Sequence, residues 1–262
     1  MHMADLGGHR LHYRIDGPDD GVPVVFANSL GTDLTLWDPI LPHLPKSLRV
    51  LRFDKRGHGN SDCPPGPWSM GALVRDTEQL MDQTGFKEAI FVGLSIGGMI
   101  AQGLAAKRLD LIRAVVLSNT GAKIGTRAIW DDRIKAAQEG GLEAVVDANM
   151  QRWFSRKFRD SDSSPPWRDL FLRTPVAGWT GCASAISGTD FFSTTAALRL
   201  PALAIAGSED GSTPPDLVRE TGGLIPGSKF ELIRGAGHLP CVDHPERYAE
   251  ILTEFITSQG LL

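Results

Sequence analysis

The sequence predicts an α/β fold, a mostly parallel central sheet flanked by helices, with a helical cap inserted after the strand near residue 117. Three observations predict it. Short apolar runs alternate with helical patterns from Val22 to Leu117, and do so again from Pro201 to Ile256. Between about 121 and 195 the alternation stops, and amphipathic helical patterns replace it. Finally, Gly93-Leu94-Ser95-Ile96-Gly97 stands directly between an apolar strand pattern and a helical one.

Taken in order, Leu11, Tyr13 and Ile15 alternate with His12, Arg14 and Asp16, the pattern of a half-buried strand. The turn Gly17-Pro18-Asp19-Asp20-Gly21 leads into the more continuously apolar strand Val22–Ala27, so antiparallel pairing of these two is expected. A helix around Leu34 to Leu44 and a strand from Leu48 to Phe53 follow. Asp54-Lys55-Arg56-Gly57-His58-Gly59-Asn60-Ser61 and Pro64-Pro65-Gly66-Pro67 then form a long polar loop. Ser69 is placed to cap a helix running through Leu73 and Leu80 to Gly85. The strand Ala89–Val92, the helix bearing Ile96, Met99, Ile100 and Leu104, and the strand Ile112–Leu117 complete the first half. In the insertion, helices are expected at Arg127–Gln138, Leu142–Phe154 and around Trp167–Leu172. Thereafter come a strand Pro201–Ala206, a helix Pro214–Leu224, a strand Lys229–Ile233 and a last helix Pro245–Ile256, with Pro245 at a first helical position. Residues 1–120 and 196–262 are thus expected to make the core domain and 121–195 the cap.

A chain of 262 residues with 42% hydrophobic and 22% charged residues can bury a sizeable core. A net charge of −4 gives no electrostatic reason to bind nucleic acid or an anionic membrane. Cys63, Cys182 and Cys241 are too few and too scattered for a disulfide framework or a metal knuckle, and they read as thiols of a reducing compartment. The start lacks the basic and apolar regions of a signal peptide, and no apolar run is long enough to span a membrane. A cytoplasmic location is the expectation.

The chemistry starts from Ser95. A serine on a tight strand-to-helix turn needs neighbours without bulk, which Gly93 and Gly97 supply, and the following helix aims its first N–H groups at whatever the hydroxyl attacks. A hydroxyl needs a base, and the base needs a group that holds its tautomer. His238, in the small-residue loop Gly235-Ala236-Gly237-His238 after the last strand, is the expected base, and His58 is read as structural. Asp210, after the strand Ala202–Ala206, is the expected orienting carboxylate, with Glu209 beside it not separable by spacing. The strand around Val116 ends in Ser118-Asn119-Thr120 and offers no competing acid. Two N–H donors must meet the oxyanion of a tetrahedral intermediate. The amides of Ile96, directly after the serine, and Leu30, in the loop Asn28-Ser29-Leu30-Gly31, are the expected pair. Activity should fall on the acid side, where His238 gains a proton.

On these residues the chain resembles the α/β-hydrolases from end to end. The elbow Gly93-Leu94-Ser95-Ile96-Gly97-Gly98, the Asp54–Ser61 loop and Gly237-His238 carry the resemblance, while Asn28-Ser29 stands where many members have His-Gly. More narrowly, it resembles 3-oxoadipate enol-lactone hydrolases of the protocatechuate and catechol degradation route. The matching stretches are Asn28–Asp33, Gly93–Gly103 and Leu117–Gly125. The resemblance implies hydrolysis of a small anionic lactone without metal or organic cofactor. The alternatives on the same residues are a carboxylesterase, a hydrolase of carbon–carbon bonds in ring-cleavage products, a perhydrolase, or a ligand-binding receptor of the same fold.

The lactone's carboxylate calls for a cation beside an apolar wall. In the helix Arg127–Gln138, Trp130 and Arg133 are three apart and share a face, and Lys123 leaves the preceding strand nearby. Trp130, Arg133 and Lys123 are the expected substrate-binding residues.

Overall fold

Strands that are apolar on both faces belong in the middle of a sheet, and alternating ones toward its edge. The computed structural model describes residues 2–260 and 262. Its sheet comprises β1 (His2–Asp5), β2 (Arg10–Asp16), β3 (Val22–Ala27), β4 (Leu48–Phe53), β5 (Ala89–Leu94), β6 (Ile112–Ser118), β7 (Ala202–Gly207) and β8 (Lys229–Ile233). They lie in the order β1-β2-β4-β3-β5-β6-β7-β8. The first two strands run antiparallel at one edge and the rest are parallel.

The expected antiparallel pairing of Leu11–Ile15 with Val22–Ala27 does not occur. β2 pairs with β4, Tyr13 opposite Phe53, while β3 is parallel to both β4 and β5. The reason lies in the two patterns: Val24 to Ala27 are buried on both faces, so β3 takes a central place, and the half-exposed β2 is left near the edge. Strand β1, short and polar, gave no periodic signal and is held by β2.

Helix α1 (Met70–Thr84) starts where expected, with Ser69 accepting from the Ala72 N–H, and stops at Gly85 with φ 73°. It packs on α2 (Ile96–Lys107), which covers β3, β5 and β6. The helix expected over Leu34–Leu44 is instead two 3-10 turns, Leu34–Trp37 and Leu41–His43, because Pro39 and Pro42 cannot donate to a continuous helical ladder.

Between β6 and β7 the chain forms the cap: α3 (Arg127–Gly140), α4 (Glu143–Trp153), α5 (Arg156–Arg159), α6 (Pro165–Leu172), α7 (Val176–Ser187) and α8 (Phe192–Ala196). Sequence periodicity identifies α3, α4 and α6. It misses α7, whose residues from Gly178 to Ala183 are all buried, so no polar stripe marks it. After β7 come α9 (Pro215–Gly223), α10 (Pro240–Asp243) and α11 (Pro245–Ser258), with α9 against β7 and α11 beside β8. Among the described residues no helix is long and apolar enough to cross a membrane.

Candidate active site

Each parallel strand ends at the same edge of the sheet, which is where such folds gather polar loops. Ser95 follows β5, Asn119 follows β6, Asp210 follows β7, His238 follows β8, and Ser29-Leu30 follow β3. Ser29, Leu30, Ser95 and His238 line one cavity of about 220 Å³, whose roof is supplied by α3 and α4.

Ser95 has φ 58°, a left-handed conformation costly for a residue with a side chain. Its neighbours hold it there. Its N–H donates to Ser118 O at 3.0 Å, and Thr120 Oγ1 donates to its carbonyl at 2.6 Å. A methyl group on Gly93 would sit 2.2 Å from Gly97 O, and one on Gly97 would sit 2.1 Å from Ala27 O. Both glycines are therefore demanded by contact between backbones.

His238 Nδ1 faces Asp210 Oδ2 at 2.9 Å, while the exposed Glu209 takes no part. Asp210 also accepts from Ser212 N (2.7 Å), Thr213 N (2.9 Å), Thr213 Oγ1 (2.7 Å) and Asn119 Nδ2 (2.9 Å). Burial alone would raise its pKa. His238 and these donors outweigh burial and hold the carboxyl below its ordinary range. With its Nδ1–H directed at Asp210, the imidazole leaves Nε2 free to accept a proton. Ser95 Oγ and His238 share the cavity without a direct hydrogen bond, a looseness common before substrate binds. Asn119 and Thr213 carry no local signal in the sequence. Asn119 sits at the end of β6 with φ 46°, and only the register of β6 against β7 brings it to Asp210.

Leu30 lines the cavity and Ile96 opens α2 beside Ser95. Among the described residues neither N–H donates to a protein acceptor. His58 Nε2 accepts from the Gly31 N–H at 3.0 Å, and burial holds that imidazole well below its usual pKa, hence neutral.

The roof is cationic. Arg133 lies 4.3 Å over the Trp130 ring and 5.5 Å from that of Trp179, and donates to Asn149 Oδ1 at 3.3 Å. Burial, with Arg152 nearby, pushes its pKa down to about 9. Arg152 and Asn149, which no local sequence signal marks, line the same cavity. Arg133 Nε, Arg152 Nε and Asn149 Nδ2 are buried without partners among the described residues, a set of donors with no acceptor. Lys123 is not brought to the cavity. It points to the surface, half exposed, and pairs with Asp190 at 3.1 Å, while the next two residues, Ile124 and Gly125, line the cavity. Among the described residues no group of three His, Cys, Asp or Glu side chains is arranged to hold a metal ion.

The alpha/beta hydrolase fold family profile matches residues 22–245. The chain is 31% identical to 3-oxoadipate enol-lactonase 1 of Acinetobacter baylyi over 98% of this chain and 96% of that protein. It is 30% identical to 3-oxoadipate enol-lactonase 2 of the same organism, over 91% and 90%. The crystal structure of the enol-lactonase from Burkholderia xenovorans superimposes with a TM-score of 0.94 at 35% identity, covering 97% of this chain and 99% of that one. With the serine elbow and the sheet order already described, these likenesses make the chain a member of the alpha/beta hydrolase fold family and a carboxylic ester hydrolase.

Proposed function

We propose that the protein hydrolyses 3-oxoadipate enol-lactone to 3-oxoadipate, in the degradation of aromatic compounds. Ser95 Oγ attacks the lactone carbonyl while His238 Nε2 takes its proton, and Asp210 holds the imidazole tautomer and its charge. The N–H groups of Leu30 and Ile96 receive the oxyanion. Collapse breaks the ring C–O bond. The leaving enol oxygen takes the proton from His238 and the enol tautomerises to a ketone, which makes it a good leaving group. Water, deprotonated by His238, then cleaves the acyl-serine and returns the proton to Ser95 Oγ. No step needs a metal or an organic cofactor.

The observation that carries this reading is the pair of arginines, Arg133 and Arg152, in the roof over Ser95 with no carboxylate partner among the described residues. A neutral ester gives such a roof nothing to bind; a lactone bearing a carboxylate does. The relatives named 3-oxoadipate enol-lactonase support the same substrate.

Product analysis after incubation with the enol-lactone tests it, 3-oxoadipate being the expected product. Ser95→Ala should lower turnover on the order of a thousandfold or more while leaving the fold intact. Near-wild-type turnover of that variant would remove Ser95 as the nucleophile.

A further inference from the structure

The loop Asn28–Leu34, which carries the Leu30 N–H, is held by the end of β4 and the residues that follow it. Asn28 Nδ2 donates to Phe53 O at 3.1 Å, the Leu34 N–H to Asp54 Oδ1 at 2.7 Å, and the Gly31 N–H to His58 Nε2 at 3.0 Å. Lys55 Nζ donates to Ser29 O at 2.6 Å and to Thr32 O at 3.2 Å. Lys55 is 3% exposed, and among the described residues no carboxylate lies within ion-pair distance of its ammonium. A buried charge held only by carbonyl dipoles is costly, and an apolar side chain of the same length would fill the space at less cost.

What the ammonium grips gives the reason. Ser29 C=O and Leu30 N–H belong to one planar trans peptide group, so they point in opposite directions and fixing one aims the other. A cation on the carbonyl oxygen also polarises the amide and strengthens its N–H as a donor. We propose that Lys55 is a positioning residue, which acts through the Ser29 carbonyl to aim and polarise the Leu30 N–H toward the oxyanion of the tetrahedral intermediate. This rests on the reading of Ser95 as nucleophile and Leu30 as oxyanion donor.

Burial pushes the Lys55 ammonium down to about 8, against Asp54 and Asp33, whose carboxylates favour its charged form, while burial raises the nearby Cys182 thiol of α7 to about 12 and keeps it neutral there. His58, its other titratable neighbour, stays neutral. The grip therefore loosens in the mildly alkaline range, as the proton leaves Nζ.

The test is kinetic. Lys55→Met should lower kcat on the lactone about tenfold to hundredfold, less than deletion of an oxyanion donor, with KM changed by about twofold at most. Inhibition by phenylboronic acid, whose adduct with Ser95 places an oxygen in the same hole, should weaken in parallel. Competitive inhibition by succinate, which needs only the cationic roof, should not change. Lys55→Gln, which keeps a neutral donor toward Ser29, should fall between. Wild-type kcat should decline with a midpoint near pH 8, and Lys55→Met should lack that decline. Wild-type kcat and boronate affinity in Lys55→Met would overturn the proposal. If that variant does not fold, full activity of Lys55→Gln together with a flat wild-type profile through pH 8 would overturn it equally. Ser95→Ala separates the two readings: near-wild-type turnover there sinks the nucleophile assignment, whereas a Ser95→Ala impaired by about a thousandfold or more beside a fully active Lys55→Met sinks only the role of Lys55.

Discussion

Arg133 lies against two indole rings, within reach of Asn149, and Arg152 lies close enough to lower its pKa. Two cations held this close repel, and a bound carboxylate would relieve both. Arg133→Ala should therefore weaken turnover of the carboxylated lactone by about 1.5–3 kcal/mol, the range for a hydrogen bond to a charged group, and leave a neutral phenyl ester nearly unaffected. Equal losses on the two substrates, measured as kcat/KM, would make Arg133 a support of the roof instead. Asn119→Ala removes one of the donors to Asp210 and leaves His238, Ser212 and Thr213 in place. The expected loss in kcat/KM is about tenfold, one charged hydrogen bond at the low end of its range. Ser95, Asp210 and His238 were legible because each stands at a strand end with its own local signal. Asn119, Thr213, Asn149 and Arg152 had none, since what each meets depends on elements distant in the chain.

At the scale of elements, the elbow joining β5 to α2 packs backbone directly against backbone. Gly97→Ala would drive a methyl group into the Ala27 carbonyl, which belongs to β3 and cannot move without breaking its pairing with β5. The expected loss of stability is about 3 kcal/mol, at the upper end for overpacking, read from urea unfolding, with loss of activity beside it. The cap docks on the sheet through aromatic side chains. Phe171 of α6 packs edge-on to Trp153 of α4 and Trp179 of α7 and reaches Gly31 in the loop after β3. Phe171→Ala should cost about 3–5 kcal/mol, the cost of emptying a buried aromatic site, and should show as a lowered melting temperature. Helices with one polar stripe were readable from periodicity. α7 is not, because a helix buried over most of its surface carries no continuous polar stripe, and β2 pairs away from its sequence neighbour because depth of burial outweighs nearness in sequence.

Across the whole molecule the buried carboxylates pull stability in opposite directions with pH. Asp210 has a native pKa below its unfolded value of about 3.9, so the stability it contributes is present above that pH and is lost as pH falls through the native pKa. Asp54 and Asp243 are raised by burial, so in the native state they bind protons more readily and their contribution declines as pH rises from about 3.9 through their native values. Asp210→Asn should therefore flatten the acid side of the stability profile. The check is the difference in urea midpoint between wild type and variant at pH 7 and at about pH 3, expected to shrink at the lower pH. A difference that stays constant would mean that Asp210 gains nothing from ionisation in the folded state.

The alternation of strand and helix, the break in it after residue 117, and the serine, aspartate and histidine at strand ends were all determined by the sequence alone, because each rests on periodicity or on turn chemistry within a few residues. The strand order, the face Lys123 turns to, the placing of Arg133 and Arg152 in one roof and the grip of Lys55 on Ser29 were decided by the tertiary structure. The physical reason is that local pattern sets which side of an element is buried. The partners it meets there are set by how the sheet and the cap share a single buried volume.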